Sequence, residues 1–207
     1  MQGDKDYADN NISKSDFIII LRTLENFLIR RFVCNVPTNQ LNKIFPALCP
    51  QLRARHSDNF SEGVKTLLQT RGYPKDSEFF LLFKEAKFYG AGDRQTKTKL
   101  ILQAMEEDYS HKEAVPFVNL TIEHVMPQTL SEWWQDHLGQ DWEETHELLL
   151  HTIGNLTLTA YNAELSNEDF TTKRRTYAES HLELNKYFST PTCWTRPKAF
   201  KLCASKQ

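Results

Sequence analysis

Residues 116–128 read PFVNLTIEHVMPQ, and residues 151–170 read HTIGNLTLTAYNAELSNEDF. In the first stretch FVNLTIEHV is short and rich in branched side chains, and Pro127 stops it, as expected of a strand. In the second, Gly154 breaks a preceding helix and NLTLT alternates as a second strand. SNEDF then opens a helix, with Ser166 or Asn167 as its cap and Glu168 and Asp169 in its first turn. The helix continues through KRRTYAESHLELNKYF with one break near Ser180. Between the strands, 131–151 carries Trp133, Trp134, Trp142 and a Glu-rich helix leading to His151.

Upstream the chain reads as helical. Residues 1–13 are polar and are expected to form a flexible terminus. Ser13 or Ser15 caps a helix through DFIIILRTLENFLIRRF that is expected to be largely buried. Further helices are expected over 40–55, broken by Pro46 and Pro50, then over 61–71, 77–89 and 96–109. In the last of these Leu100, Ile101, Ala104 and Met105 form one apolar face. The expected architecture is mainly α with a small ββα module, an α+β fold. Its parts are the terminus 1–13, a helical bundle over 14–115, and the strand-bearing module with C-terminal helices over 116–207.

Composition excludes several classes. The 207 residues are 40% hydrophobic, 25% charged and 12% aromatic, which is ordinary globular usage. No run approaches the ~18 apolar residues of a membrane helix, and MQGDKDYADNN lacks the apolar core of a signal peptide. A cytoplasmic protein with no membrane partner is expected. Cys34, Cys49, Cys193 and Cys203 include no CxxC pair, so reduced thiols and no structural zinc are expected. No phosphate-binding GxxxxGK[ST] occurs, and the GAG at 90–92 follows no strand, so no NTP site is expected. The net charge of −2 hides an asymmetry. Between 123 and 147 there are seven acidic residues and no Lys or Arg; from 171 onward there are eight basic residues against two acidic. Such a basic section is either a phosphate-binding face or solvated helix surface.

Glu123 and His124 end the first strand, Asn155 opens the second, and Asn162 precedes a helix. A carboxylate beside a histidine offers one oxygen ligand for a hard divalent ion and one imidazole that takes a proton from water. Neighbours on a strand point to opposite faces, so the two serve one ion only at a strand end or bend, which Pro127 supplies. The carbonyl oxygen of Asn162 completes the ligand set. The combination points to metal-dependent nuclease chemistry.

TIEHVMPQ, HTIGNLTLTAYNAELSN and the following Phe170 with KRR together resemble the HNH, or ββα-metal, endonuclease domain. More narrowly they are similar to the C-terminal nuclease region of GmrSD-type modification-dependent restriction enzymes and of the related Ssp-type, phosphorothioate-sensing phage-defence nucleases. LENFLIRRFVCNVPTNQLNKIF is similar to the helical segment that precedes this nuclease, so the resemblance covers most of the chain from about residue 21 on. It implies His124 as general base, Glu123 and Asn162 as ligands of one Mg²⁺ or Mn²⁺, and Asn155 as the residue that orients the loop and His124. It also places Lys173, Arg174 and Arg175 on a helix that lies against the phosphates of double-stranded DNA, where they set salt dependence rather than specificity. The implied activity is nicking of DNA in anti-phage defence, one strand per site. An N-terminal sensor and NTPase domain is implied elsewhere in the full-length protein, with this chain as the C-terminal part. Two positions depart from the pattern: Asn162 stands in place of a histidine, and seven residues separate it from Asn155. Asn167 is therefore a competing ligand, and His151 either touches phosphate or supports a ligand from behind.

Plainer readings stand beside these. His124 alone reads as a buried, satisfied histidine, Asn155 as a turn residue, and Asn162 and Asn167 as helix caps. The three tryptophans read as packing anchors, and His111, His137, His146 and His181 as incidental. The alternatives at the level of function are a non-catalytic DNA-binding or regulatory module of the same system, and an RNA-directed nuclease.

Overall fold

The computed structural model describes residues 12–109, 111, 115–191 and 194. The expected flexible terminus lies outside the described residues apart from Ile12 and Ser13, as do Cys193, Cys203 and the basic residues 196, 198, 201 and 206. The chain forms two compact units that divide between Phe83 and Lys84.

The first unit is helical. Helix α1 (Lys14–Val33) starts at Ser13, whose hydroxyl accepts from the Asp16 amide at 3.1 Å. It packs with α2 (Leu41–Arg55) on α3 (Phe60–Gln69), burying Phe27, Ile44, Leu48, Leu52, Val64 and Leu68. Helix α1 is not largely buried: Ile18, Ile19, Leu21 and Leu28 are 40–48% exposed. Consecutive residues circle a helix, so the run FIIIL cannot point at one core. Helix α2 is not broken either, and runs through both Pro46 and Pro50. The prolines lie four residues apart on the exposed side, while Ile44, Leu48 and Leu52 bury the opposite stripe and offset the lost backbone bonds. Arg31 is buried with three carbonyls as acceptors, those of Arg71 and Gly72 at 3.2 Å and of Pro37 at 2.6 Å. Helix α4 (Asp76–Glu85) ends well before residue 89.

The second unit carries the sheet. Strands β1 (Thr121–His124) and β2 (Leu156–Thr159) pair antiparallel with Glu123 opposite Thr157 and His124 opposite Leu156. Helix α5 (Arg94–Glu107) packs on both strands, so residue 116, the expected start of the module, lies inside this unit. The face that α5 buries is Thr98, Ile101, Leu102 and Glu106, whereas Leu100 is 60% exposed. Periodicity of apolar residues misplaces this face because two of its members are polar and each has a specific partner. Thr98 donates to the Phe88 carbonyl at 2.6 Å, and the Glu106 carboxylate accepts from the Glu183 and Leu184 amides at 2.7 and 2.9 Å.

The insertion between the strands is two helices rather than one, α6 (Glu132–Leu138) and α7 (Trp142–Leu149), separated at Gly139 with φ +83°. Trp134 is buried against Phe170 and Trp194, while Trp133 is half-exposed and stacks on His137. After β2 come one turn, α8 (Asn162–Leu165), then α9 (Phe170–Ala178) and α10 (Glu183–Ser189), with the break near Ser180 where the sequence places it. The cap of α9 is Asp169, which accepts from the Thr172 amide at 2.9 Å, rather than Ser166 or Asn167. Ser166 instead ends α8 with φ +28°. The outcome is the expected class, mainly α with two antiparallel strands followed by a helix.

Helix α9 buries Phe170, Lys173 and Tyr177, one stripe at spacings of three and four. The Lys173 ammonium, wholly inaccessible, donates to Glu123 Oε1 at 2.6 Å and to the His124 carbonyl at 2.8 Å. Removing one partner of such a pair strands a buried charge, at a cost of about 3–5 kcal/mol. We expect Lys173→Ala to lose about that much in urea unfolding, and a Glu123→Leu/Lys173→Met double variant to recover most of it.

Candidate active site

Adjacent residues of β1 face opposite sides of the sheet. Glu123 turns to Lys173 on α9, and His124 turns to Tyr89 and His151. The loop after β1 is clamped by Asn155, which is wholly buried. Its Oδ1 accepts from the Met126 amide at 2.7 Å, its Nδ2 donates to the Met126 and Leu150 carbonyls at 2.9 Å, and its own carbonyl accepts from the Val125 amide at 2.9 Å. Asn155 thus fixes the two residues that follow His124, which is more than a turn residue does.

His124 Nε2 lies 3.2 Å from His151 Nδ1, and the Tyr89 ring meets His124 edge-on at 4.6 Å between centroids. Burial above all, with lesser contributions from His151, Lys173 and His146, lowers the His124 imidazole from 6.5 to about 3. The ring is therefore neutral at physiological pH. Burial lowers His151 as well, with Lys87 adding to the effect. Burial pushes Glu123 up against the pull of Lys173, and pushes Lys173 down against the pull of Glu123.

Asn162 opens α8 and donates through Nδ2 to the Ile122 carbonyl at 3.0 Å and to Thr121 Oγ1 at 3.3 Å. Its amide nitrogen is thereby committed to β1, and Oδ1 remains as the acceptor. A cleft at this point is lined by Glu123, His124, Asn162, Asn167, Gln128 and Tyr89. Four of the expected site residues, Glu123, His124, Asn162 and Asn167, thus meet there, with Asn155 behind the floor and His151 against His124.

The basic triplet divides. Lys173 is not a phosphate contact, because it falls on the buried stripe of α9 and its ammonium is spent on Glu123 and His124. Arg174 is half-buried and donates to the Pro191 carbonyl at 3.2 Å, and Arg175 is exposed. The spacing Phe170, Lys173, Tyr177 already carried this signal.

His146 is not incidental, since its Nε2 lies 2.9 Å from the Pro127 carbonyl and braces the loop. Tyr89 escapes sequence reasoning altogether. It reaches the site because the Phe88 amide donates to the His151 carbonyl at 2.7 Å, and because Lys87 donates to the Glu147 and Leu148 carbonyls at the end of α7.

The family described as GmrSD restriction endonucleases, C-terminal domain, matches residues 73–199, more than half of the chain. The chain belongs to this family. No curated protein and no solved structure matches it. As a GmrSD C-terminal domain it is the nuclease domain type of a restriction system, and the cleft lies within the matched residues.

Around the cleft of this GmrSD domain the oxygen donors are the Glu123 carboxylate, one oxygen of which holds Lys173, Asn162 Oδ1, and the side-chain oxygens of Asn167, Gln128 and Ser166. Among the described residues no group of three or more His, Cys, Asp or Glu is placed to cage a metal. Carboxylate and amide oxygens are the ligand type that hard divalent ions such as Mg²⁺ or Mn²⁺ take.

Two outcomes follow from this geometry. Asn155→Ala leaves the buried Met126 amide and carbonyl unpaired and should cost about 2–4 kcal/mol in urea unfolding. For pH, the unfolded chain protonates His124 at its ordinary 6.5, and the folded chain only near 3. The unfolded state therefore binds more protons across that window, and stability falls as pH drops through it. Measured in EDTA, the unfolding temperature should decline from pH 6.5 towards 4, and His124→Gln should flatten the decline.

Proposed function

We propose that this GmrSD C-terminal domain is a divalent-metal-dependent endonuclease that nicks double-stranded DNA in anti-phage defence. The observation that carries the reading is a neutral imidazole, His124, held at the cleft floor beside Glu123 and Asn162 by the Asn155 clamp. His124, at the cleft beside Glu123 and Asn162, takes the proton of the water that attacks the phosphodiester. Glu123 and Asn162 would hold one Mg²⁺ or Mn²⁺, which would supply positive charge to offset the charge that develops on the phosphate and the departing oxygen. Lys173 keeps Glu123 and the His124 backbone in fixed relation to each other. Arg175, exposed on α9, is the member of the basic triplet left to meet the DNA backbone.

One such site cuts one strand, so a single copy nicks. The domain works in the cytoplasm, where incoming phage DNA is met, with modification sensing assigned to an N-terminal NTPase domain of the full-length protein. No described helix is long and apolar enough to cross a membrane.

Supercoiled plasmid incubated with the chain and Mg²⁺ or Mn²⁺ should yield open circles, and EDTA should abolish them. His124→Ala should cut at least ~100-fold more slowly while still shifting DNA in a gel. Undiminished cutting by His124→Ala overturns the assignment of the base, and a wild type that binds without cutting favours the regulatory-module reading. Arg175→Gln should weaken DNA binding and reduce the slope of log affinity against log salt by about one.

A further inference from the structure

We infer that His151, backed by Tyr89, is a positioning residue that decides which nitrogen of His124 receives the proton. The inference rests on the reading of His124 as the base. A neutral imidazole carries one N–H and one lone pair, and the hydrogen bond at one nitrogen decides the other. His124 Nε2 and His151 Nδ1 face each other at 3.2 Å, so one donates and the other accepts. If His151 donates, the only lone pair of His124 is occupied and the ring cannot serve as a base. If His124 donates through Nε2–H, its Nδ1 carries a free lone pair. The competent arrangement is therefore the second, with His151 Nδ1 as acceptor and its own proton on Nε2.

The surroundings hold this pair in register. Tyr89 lies edge-on to His124 and stacks on His151 with an interplanar angle of 26° and centroids 5.6 Å apart, so one ring limits rotation of both imidazoles. Tyr89 is itself anchored through its neighbour: the Phe88 amide donates to the His151 carbonyl and the Phe88 carbonyl accepts from buried Thr98. The segment before α5 thus completes a base site whose other members sit on β1 and before β2.

The test combines tautomer and kinetics. In ¹⁵N-histidine-labelled chain at pH 7 in EDTA, the His124 signals, identified by their loss in His124→Gln, should report the Nε2–H tautomer. His151→Phe keeps a ring against Tyr89 but removes the acceptor. It should give a mixture of His124 tautomers and a kcat for nicking lower by on the order of tenfold to a hundredfold at unchanged KM. His151→Asn restores an acceptor near the Nδ1 position and should recover most of both. An Nδ1–H tautomer in the wild type overturns the inference, as does a His151→Phe variant with unaltered tautomer and kcat. If His151→Phe does not fold, the wild-type spectrum still decides. If the wild type does not nick, the nuclease reading fails while the tautomer result still reports on the pair.

Discussion

A lysine ammonium with no access to solvent sits between a carboxylate and a backbone carbonyl, and the geometry of the second unit depends on it. Lys173 joins α9 to two consecutive residues of β1, through the Glu123 side chain and the His124 backbone. Desolvating two charges is expensive, and the cost is offset only where the partners are close and the remaining donors are used. Here the partners are close, at 2.6 and 2.8 Å, and take two of the three ammonium donors. A pair of this kind is a poor source of stability compared with apolar packing of the same volume, yet it specifies register strongly, because any slip of α9 along β1 strands a charge. Glu123 and His124 therefore arrive at the cleft in one orientation.

Other buried polar groups do similar work around the same sheet. Asn185 accepts from Thr157 Oγ1 at 2.6 Å and donates to the Leu158 carbonyl at 3.0 Å, fixing α10 to β2. Glu106 fixes α5 to the start of α10, and Asn155 fixes the loop after β1. A two-stranded sheet is marginal by itself. Here each strand is tied by a buried side chain from a flanking helix or loop, and the cleft inherits that rigidity. Preorganised groups of this kind favour catalysis because they need not rearrange as charge develops.

The fold class and the meeting of Glu123, His124, Asn162 and Asn167 at one cleft were legible in the sequence, since both follow from short strand patterns, a stop at Pro127 and the spacing of a few polar residues. What was illegible has a common cause. Apolar periodicity reports which residues are hydrophobic, whereas several faces here are set by polar residues with specific partners. Thr98 and Glu106 rotate α5 away from the face that Leu100 and Ala104 suggest. Lys173 looks like a DNA contact in KRR until its place in the stripe with Phe170 and Tyr177 is counted. Pro46 and Pro50 look like breaks, but they share the exposed side of a helix whose other stripe is firmly packed. Tyr89 joins the site through its neighbour Phe88, whose amide donates to the His151 carbonyl, and no local pattern encodes such a contact.

The most direct measurement of the central claim is Mn²⁺ binding to the intact chain by electron paramagnetic resonance, compared with Glu123→Gln and Asn162→Ala. The account predicts one bound ion per wild-type chain, with affinity reduced by at least about tenfold in each variant. Binding that is absent in the wild type, or indifferent to both substitutions, would contradict the assignment of this cleft as the metal-dependent centre.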